Sequence, residues 1–238
     1  MLRLLALLGL AALPATAETW TIGTEADYAP YIFHDESGEL TGFDRELGEV
    51  ICNRAAVDCL WVETDFDSLF KDLSRGRFDI VLAGIGETPD RRPLADFSTP
   101  YFASGPNAGV YVAMRPGISP DGALIGVQGG TTFAEWLAAT GRAFRTYPTN
   151  EAALAALAKR DVDAVFVASA YYAHATETGW PQLRLIGSEE FPTAGTSVAV
   201  RKGAADILTR INAILDDLRA DGTLAALEAR WFRPGEPV

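Results

Sequence analysis

The 238-residue chain carries 32 acidic against 20 basic residues, a net charge of −12 at pH 7. It has no basic run, which argues against nucleic acid or an anionic membrane as partner. The length allows one large domain or two of roughly 100 residues, and the histidines, His34 and His174, make no metal-ligand spacing with the cysteines. Residues 1–17 read as a cleaved secretory leader. Arg3 supplies the positive start, residues 4–13 are an apolar run too short to span a bilayer, and Ala15-Thr16-Ala17 fits the small-x-small cleavage rule. The alternative is a membrane anchor, but no later segment offers the ~20 apolar residues of a span. The mature chain then starts at Glu18.

Trp20-Thr21-Ile22 reads as a short strand, and the loop after it holds Glu25, Tyr28 and Tyr31 before a turn at 35–39. A polar, aromatic loop leaving the carboxyl end of a strand is where α/β folds usually bind ligands. Phe43, Leu47, Val50, Ile51 and Ala55 recur at helical spacing, and 60–62 is a strand. In an oxidising compartment Cys52 and Cys59, seven apart, form a local disulfide tying the helix end to that strand; two free thiols are the alternative. A short helix over 66–74 leads to a buried strand over 79–83. After about residue 107 the alternation restarts, with strands at 109–113, 124–127 and 162–167 and helices at 132–139 and 151–159. Such alternation favours layered sheets with mainly parallel neighbours. Ile207, Leu208, Ile211, Ile214, Leu215 and Leu218 form one helical stripe; Asp221-Gly222 stops it, and Leu224, Leu227 and Trp231 mark a last helix. A weak internal repeat aligns 72–81 with 156–165. It places Gly84 and Ala168 at equivalent strand exits, one in each half, unless the likeness of two α–β junctions is chance.

Two further segments carry candidate chemistry. In 83–92, AGIGETPDRR, a strand ends in a small-residue turn followed by Arg91 and Arg92. Arginine is the natural fork for a carboxylate, although the pair also fits plain surface charge. In 126–132, GVQGGTT, a strand runs into a glycine turn and a helix opens at Thr131 and Thr132. Free N–H groups there make an anion site, and the threonines equally serve as helix caps. Tyr28 and Phe66 stand near strand or loop ends. No nucleophile triad or metal set is present, so no cofactor is expected.

Taken in order, GTEADYAPY, GELTGFDREL, FDSLFKDLSRGRFDIVLAGIGETPDRR, FSTPYF, GVQGGTT and DGTLAALEARWF resemble the polar amino-acid binding proteins of ABC importers, the family 3 solute-binding proteins. The likeness spans nearly the whole chain after the leader. It implies an α/β, two-lobed periplasmic binding protein fold (type II) with the lobes joined by a two-stranded hinge. Lobe 1 would be 18–105 plus 199–238, and lobe 2 would be 106–198. It also implies that Tyr28 and Phe66 sandwich the aliphatic part of a ligand. Arg91, helped by N–H groups around Gly84 and Gly86, would clamp its α-carboxylate, and Thr131 and Thr132 would grip the same group on closure. Glu25 falls where basic amino-acid binders place an acid for the ligand's side chain, and Cys52 and Cys59 fall where such binders carry a disulfide. Three positions depart from the family pattern. Ala168 replaces an aspartate that holds the ammonium, Gly86 replaces a hydroxyl residue, and Phe133 replaces a polar residue.

The function this implies is the periplasmic substrate-binding component of an ABC importer. It would act as a monomer without cofactor, capturing a small polar solute (an amino acid or related small carboxylate) for an inner-membrane permease. Without the ammonium aspartate, either Glu25 takes over that role or the ligand lacks an α-ammonium. One alternative is an exported cyclohexadienyl-type dehydratase using Glu25 or Glu87 as general acid. The other is a sensor or auxiliary binding protein.

Overall fold

The computed structural model describes residues 18–102, 106–192 and 194–232; the expected leader, 1–17, lies outside them. In chain order the first part comprises β1 (Thr19–Thr24), β2 (Asp27–Tyr28), β3 (Ile32–His34), β4 (Leu40–Thr41), α1 (Phe43–Ala55) and β5 (Asp58–Glu63). A 3₁₀ turn (Phe66–Ser68), α2 (Leu69–Ser74), β6 (Ile80–Val81) and β7 (Ala95–Phe97) follow. The second part comprises β8 (Pro106–Ala113), β9 (Ile125–Gln128), α3 (Thr132–Ala139), β10 (Phe144–Tyr147), α4 (Asn150–Lys159), β11 (Ala164–Ala168), α5 (Ser169–Thr178) and β12 (Arg184–Pro192). The chain then returns through β13 (Ala199–Arg201), α6 (Ala205–Ala220) and α7 (Thr223–Trp231).

These strands make two five-stranded sheets, β5-β1-β6-β13-β7 and β10-β9-β11-β8-β12, with β2-β3-β4 as a small third sheet. The chain passes from the first large sheet to the second between β7 and β8, and comes back between β12 and β13. The parallel expectation holds for half of each sheet. β5, β1 and β6 are parallel, as are β10, β9 and β11, because helices carry the crossovers between them. β13 and β8 run antiparallel to both of their neighbours. Each follows a passage of the chain from one large sheet to the other.

Burial follows the sequence pattern. α1 turns Phe43, Leu47 and Ile51 inward, with Asp44 and Glu46 at its positive end and Arg54 in its last turn. The stripe of α6, Ile207, Ile211, Ile214, Leu215 and Leu218, closes the same core. β11 is buried along its whole length, as a strand covered on both faces must be. The second sheet has its own core around Val112, Ile125, Leu137, Leu154, Val165 and Phe166.

Cys52 in α1 and Cys59 in β5 form the expected disulfide. A loop this short removes little denatured-state entropy, about 2.5 kcal/mol on the loop-closure relation. Cys52→Ser with Cys59→Ser should therefore lower the thermal midpoint by about 5–10 °C and leave the fold intact by circular dichroism. A midpoint that does not move would show that the bridge adds nothing.

Candidate ligand-binding site

The carboxyl ends of the central strands of both sheets converge on one cavity. β1 delivers Glu25 just past its last residue, and β6 leads into Gly84 and Gly86. β9 ends at Gln128, and β11 ends at Ala168. The nine residues singled out as ligand contacts, Glu25, Tyr28, Phe66, Gly84, Gly86, Arg91, Thr131, Thr132 and Ala168, all line it. The internal repeat thus has a spatial counterpart, since Gly84 and Ala168 face the same space from opposite sheets. The cavity is small, about 40 Å³, where one water needs on the order of 10–15 Å³. It admits a small solute, or its walls must part for a larger one.

Arg91 is only 6 % exposed. Its Nη1 donates to the Gly86 carbonyl at 2.8 Å and its Nη2 to the Gly130 carbonyl at 3.0 Å. The guanidinium carbon lies 5.6 Å from the Phe66 ring centre and 4.9 Å from that of Phe70. Burial lowers its pKa to about 10, with Glu135 opposing the fall. A guanidinium has five N–H donors, so these two carbonyls leave further donors for a carboxylate. Arg92, its sequence neighbour, is exposed and pairs with Glu87 at 2.5 Å. The structure thereby separates a buried cation from a surface one that composition alone could not tell apart.

Glu25 is 4 % exposed. Its Oε2 accepts from Gln128 Nε2 at 2.8 Å, and Gln128 Oε1 accepts from Asn150 Nδ2 at 2.9 Å. Gln128 Nε2 also donates to the Pro148 carbonyl at 3.3 Å, which fixes the amide with its NH₂ toward Glu25. The other carboxylate oxygen, Oε1, is buried with no protein partner. Burial raises the Glu25 pKa to about 8; the Gln128 hydrogen bond opposes this, and the charges of Asp27, Asp67 and Asp65 add to it. Gln128 and Asn150 were not singled out from the sequence. A polar residue ending an otherwise apolar strand was the one available signal for Gln128.

Thr131 caps α3, its Oγ1 accepting from Ala134 N at 3.2 Å and donating to the Gln128 carbonyl at 2.8 Å. It is both a cap and a wall of the cavity. Tyr28 stacks on Tyr31 at 4.9 Å and 10°, and meets Tyr171 of α5 at 6.4 Å and 24°. One face of its ring is therefore already occupied by protein. Gly84 adopts φ +60°, and a Cβ there would meet the Tyr28 ring at 2.5 Å. The Gly84 N–H donates to Asp44 Oδ2 at 2.5 Å, and Tyr101 OH donates to Asp44 Oδ1 at 2.8 Å. The Gly84 N–H, expected to help with the ligand's carboxylate, is thus held by Asp44 in this structure. Asp44 is fully buried, and burial pushes its pKa up to about 7 against those two hydrogen bonds.

The glycine at 86 also has a structural reason. A Cβ there would sit 2.7 Å from the Gly195 carbonyl oxygen, and Gly86 forms a bridge with Thr196. Gly86→Ser should push these backbones apart, cost about 1–3 kcal/mol and displace the carbonyl that holds Arg91. An unchanged urea midpoint for this variant would contradict the crowding.

Contacts at and beside the cavity join the two sheets' halves. Besides Glu25–Gln128 and Arg91–Gly130, Asp27 Oδ2 accepts from the Glu151 N–H in the first turn of α4 at 2.9 Å. Phe33 packs on His174 at 4.9 Å.

The family model for bacterial extracellular solute-binding proteins, family 3, matches residues 20–234. The chain belongs to that family. The L-cystine-binding protein TcyJ of Escherichia coli (strain K12) is 30 % identical over 220 residues, covering 90 % of this chain and 82 % of that protein. A solved structure of a periplasmic His/Glu/Gln/Arg/opine family-binding protein from Silicibacter pomeroyi, in complex with lysine, superimposes with TM-score 0.83 at 31 % identity. It covers 92 % of this chain and 99 % of that one. The ancestral amino acid-binding protein AncCDT-1, described as a precursor of cyclohexadienyl dehydratase, superimposes with TM-score 0.79 at 28 % identity, covering 90 % and 95 %. This family 3 protein accordingly has the two-lobed type II periplasmic binding protein fold, and its role is solute binding.

Proposed function

We propose that this family 3 protein captures one small carboxylate-bearing solute in the cavity and delivers it to an ABC permease of the inner membrane. Arg91 takes the carboxylate, with the first-turn N–H groups and hydroxyls at Thr131 and Thr132 beside it. Phe66 and the free part of Tyr28 shape the body of the ligand. Residues 18–105 with 199–238 form one moving lobe and 106–198 the other, and the protein works as a monomer in the periplasm after loss of residues 1–17. The observation that carries this reading is a buried guanidinium, facing a cavity, whose hydrogen bonds among the described residues run to two carbonyls and to no carboxylate. Leaving a buried cation without its counter-charge costs several kcal/mol, and a carboxylate ligand removes that cost.

Binding rather than catalysis is the reading the site supports best. Glu87, one acid that a dehydratase reading would use, is tied to Arg92 and does not line the cavity. Isothermal titration of the mature protein with small amino acids and carboxylates tests the proposal. One-to-one binding, with a smaller radius of gyration in solution scattering once ligand is bound, is the expected result. Steady turnover of prephenate or arogenate would overturn it.

A further inference from the structure

Among the described residues lining the cavity, Arg91 is the single base and Glu25 the single acid. They do not neutralise each other, since the guanidinium bonds to carbonyls and the carboxyl to Gln128. The wall supplied by the second sheet is apolar at Val127, Phe133, Phe166 and Ala168. Glu25 Oε1 is buried and unpartnered, while Oε2 is held by a chain of amides that presents donors to a negative carboxylate. The charges of Asp27, Asp67 and Asp65 also act on Glu25, and the same field disfavours a second ligand carboxylate there.

We propose that the cavity selects a solute with one carboxylate and one nitrogen cation, the cation paired to Glu25, and discriminates against dibasic amino acids. This rests on the reading that Arg91 takes the carboxylate. A dibasic amino acid such as lysine or arginine brings two cations to a cavity with one acid. Its second cation would be desolvated against Ala168 and the phenylalanines, or set beside Arg91, with no counter-charge. Binding to Oε1 also satisfies the one unpaired oxygen of the acid.

Matched probes test this by isothermal titration at pH 8. At each chain length from four to six carbons, the diamino acid (2,4-diaminobutanoate to lysine) is compared with two counterparts, one lacking the α-amino group and one lacking the ω-amino group. The expected result is that a monoamino member binds at least tenfold tighter than the diamino acid of its length. Glu25→Gln should weaken that binding at least tenfold without lowering the thermal midpoint. A diamino acid that binds as tightly as both its counterparts overturns the charge selection. If Arg91→Ala still abolishes that binding, the carboxylate reading survives; if Arg91→Ala leaves it unchanged, both fall. Silence from every probe at every length also overturns both.

Discussion

Arg91→Ala is expected to weaken solute binding by about 30- to 5,000-fold, the range that follows from truncating one partner of a buried, hydrogen-bonded charge pair at about 2–5 kcal/mol. The folded protein should tolerate the change. The guanidinium is 6 % exposed and, among the described residues, bonds to two carbonyls and to no carboxylate, so truncation removes a desolvated cation along with its stacking on Phe66 and Phe70. These effects oppose each other, and the thermal midpoint should stay within a few degrees of wild type. Arg91→Lys should not restore affinity, because an ammonium cannot reach the Gly86 and Gly130 carbonyls while presenting a planar fork to a carboxylate. Titration of the three proteins with one solute, alongside differential scanning calorimetry, separates loss of binding from loss of fold. Full affinity in Arg91→Ala would remove Arg91 from the site.

The second large effect is a dependence on pH. Glu25 has a pKa of about 8, raised by burial and by the charges of Asp27, Asp67 and Asp65, with the Gln128 hydrogen bond opposing. Below that value the empty site holds its proton, and pairing with a ligand cation requires the proton to leave. Affinity for a solute with a cationic nitrogen should therefore rise about tenfold per pH unit from 6 toward 8 and then level off. Close to one proton should be released on binding at pH 7, read from titrations in buffers of different ionisation enthalpy. Glu25→Gln should flatten the profile. The same raised pKa acts on the fold with a defined sign. Its contribution to stability is complete below the usual carboxylate range and is lost as pH rises through about 8, so Glu25→Gln should match or exceed wild-type stability at pH 8–9. A flat affinity profile in the wild type would mean that Glu25 carries no proton linkage to the ligand.

Much of this architecture is legible in the sequence. The helical spacing of Phe43, Leu47 and Ile51 and the threonine cap before Phe133 gave α1 and α3 because local periodicity and capping agree there. α5 was missed because its composition, SAYYAHATET, has no clear apolar stripe. β10 and β12 were missed for a similar reason, since FRTY is largely solvent-facing and RLIGSEEFP mixes charges with glycine. The strand expected from Val162 begins at Ala164, with Val162 buried just ahead of it.

The site shows the same division. Motif order brought Glu25, Arg91, Thr131 and Ala168 to one expected cavity, and the structure does gather them. What sequence could not show is hydrogen bonding between distant segments. Gln128 reaches Glu25 across 103 positions, and Asp44 takes the Gly84 N–H across 40. Such partners depend on strand register and lobe placement, which no local pattern encodes. The opened-up position 86 is of the same kind, because only the approach of the Gly195 carbonyl explains why a side chain does not fit there.

The most direct test of the central claim is a crystal structure of the protein with a captured solute, either co-purified or soaked with the tightest probe. The solute's carboxylate should lie on the Arg91 guanidinium, its nitrogen on Glu25 Oε1, and its carbon body against Phe66 and Ala168. A solute seated elsewhere, or one with no anionic group within hydrogen-bond reach of Arg91, would contradict it.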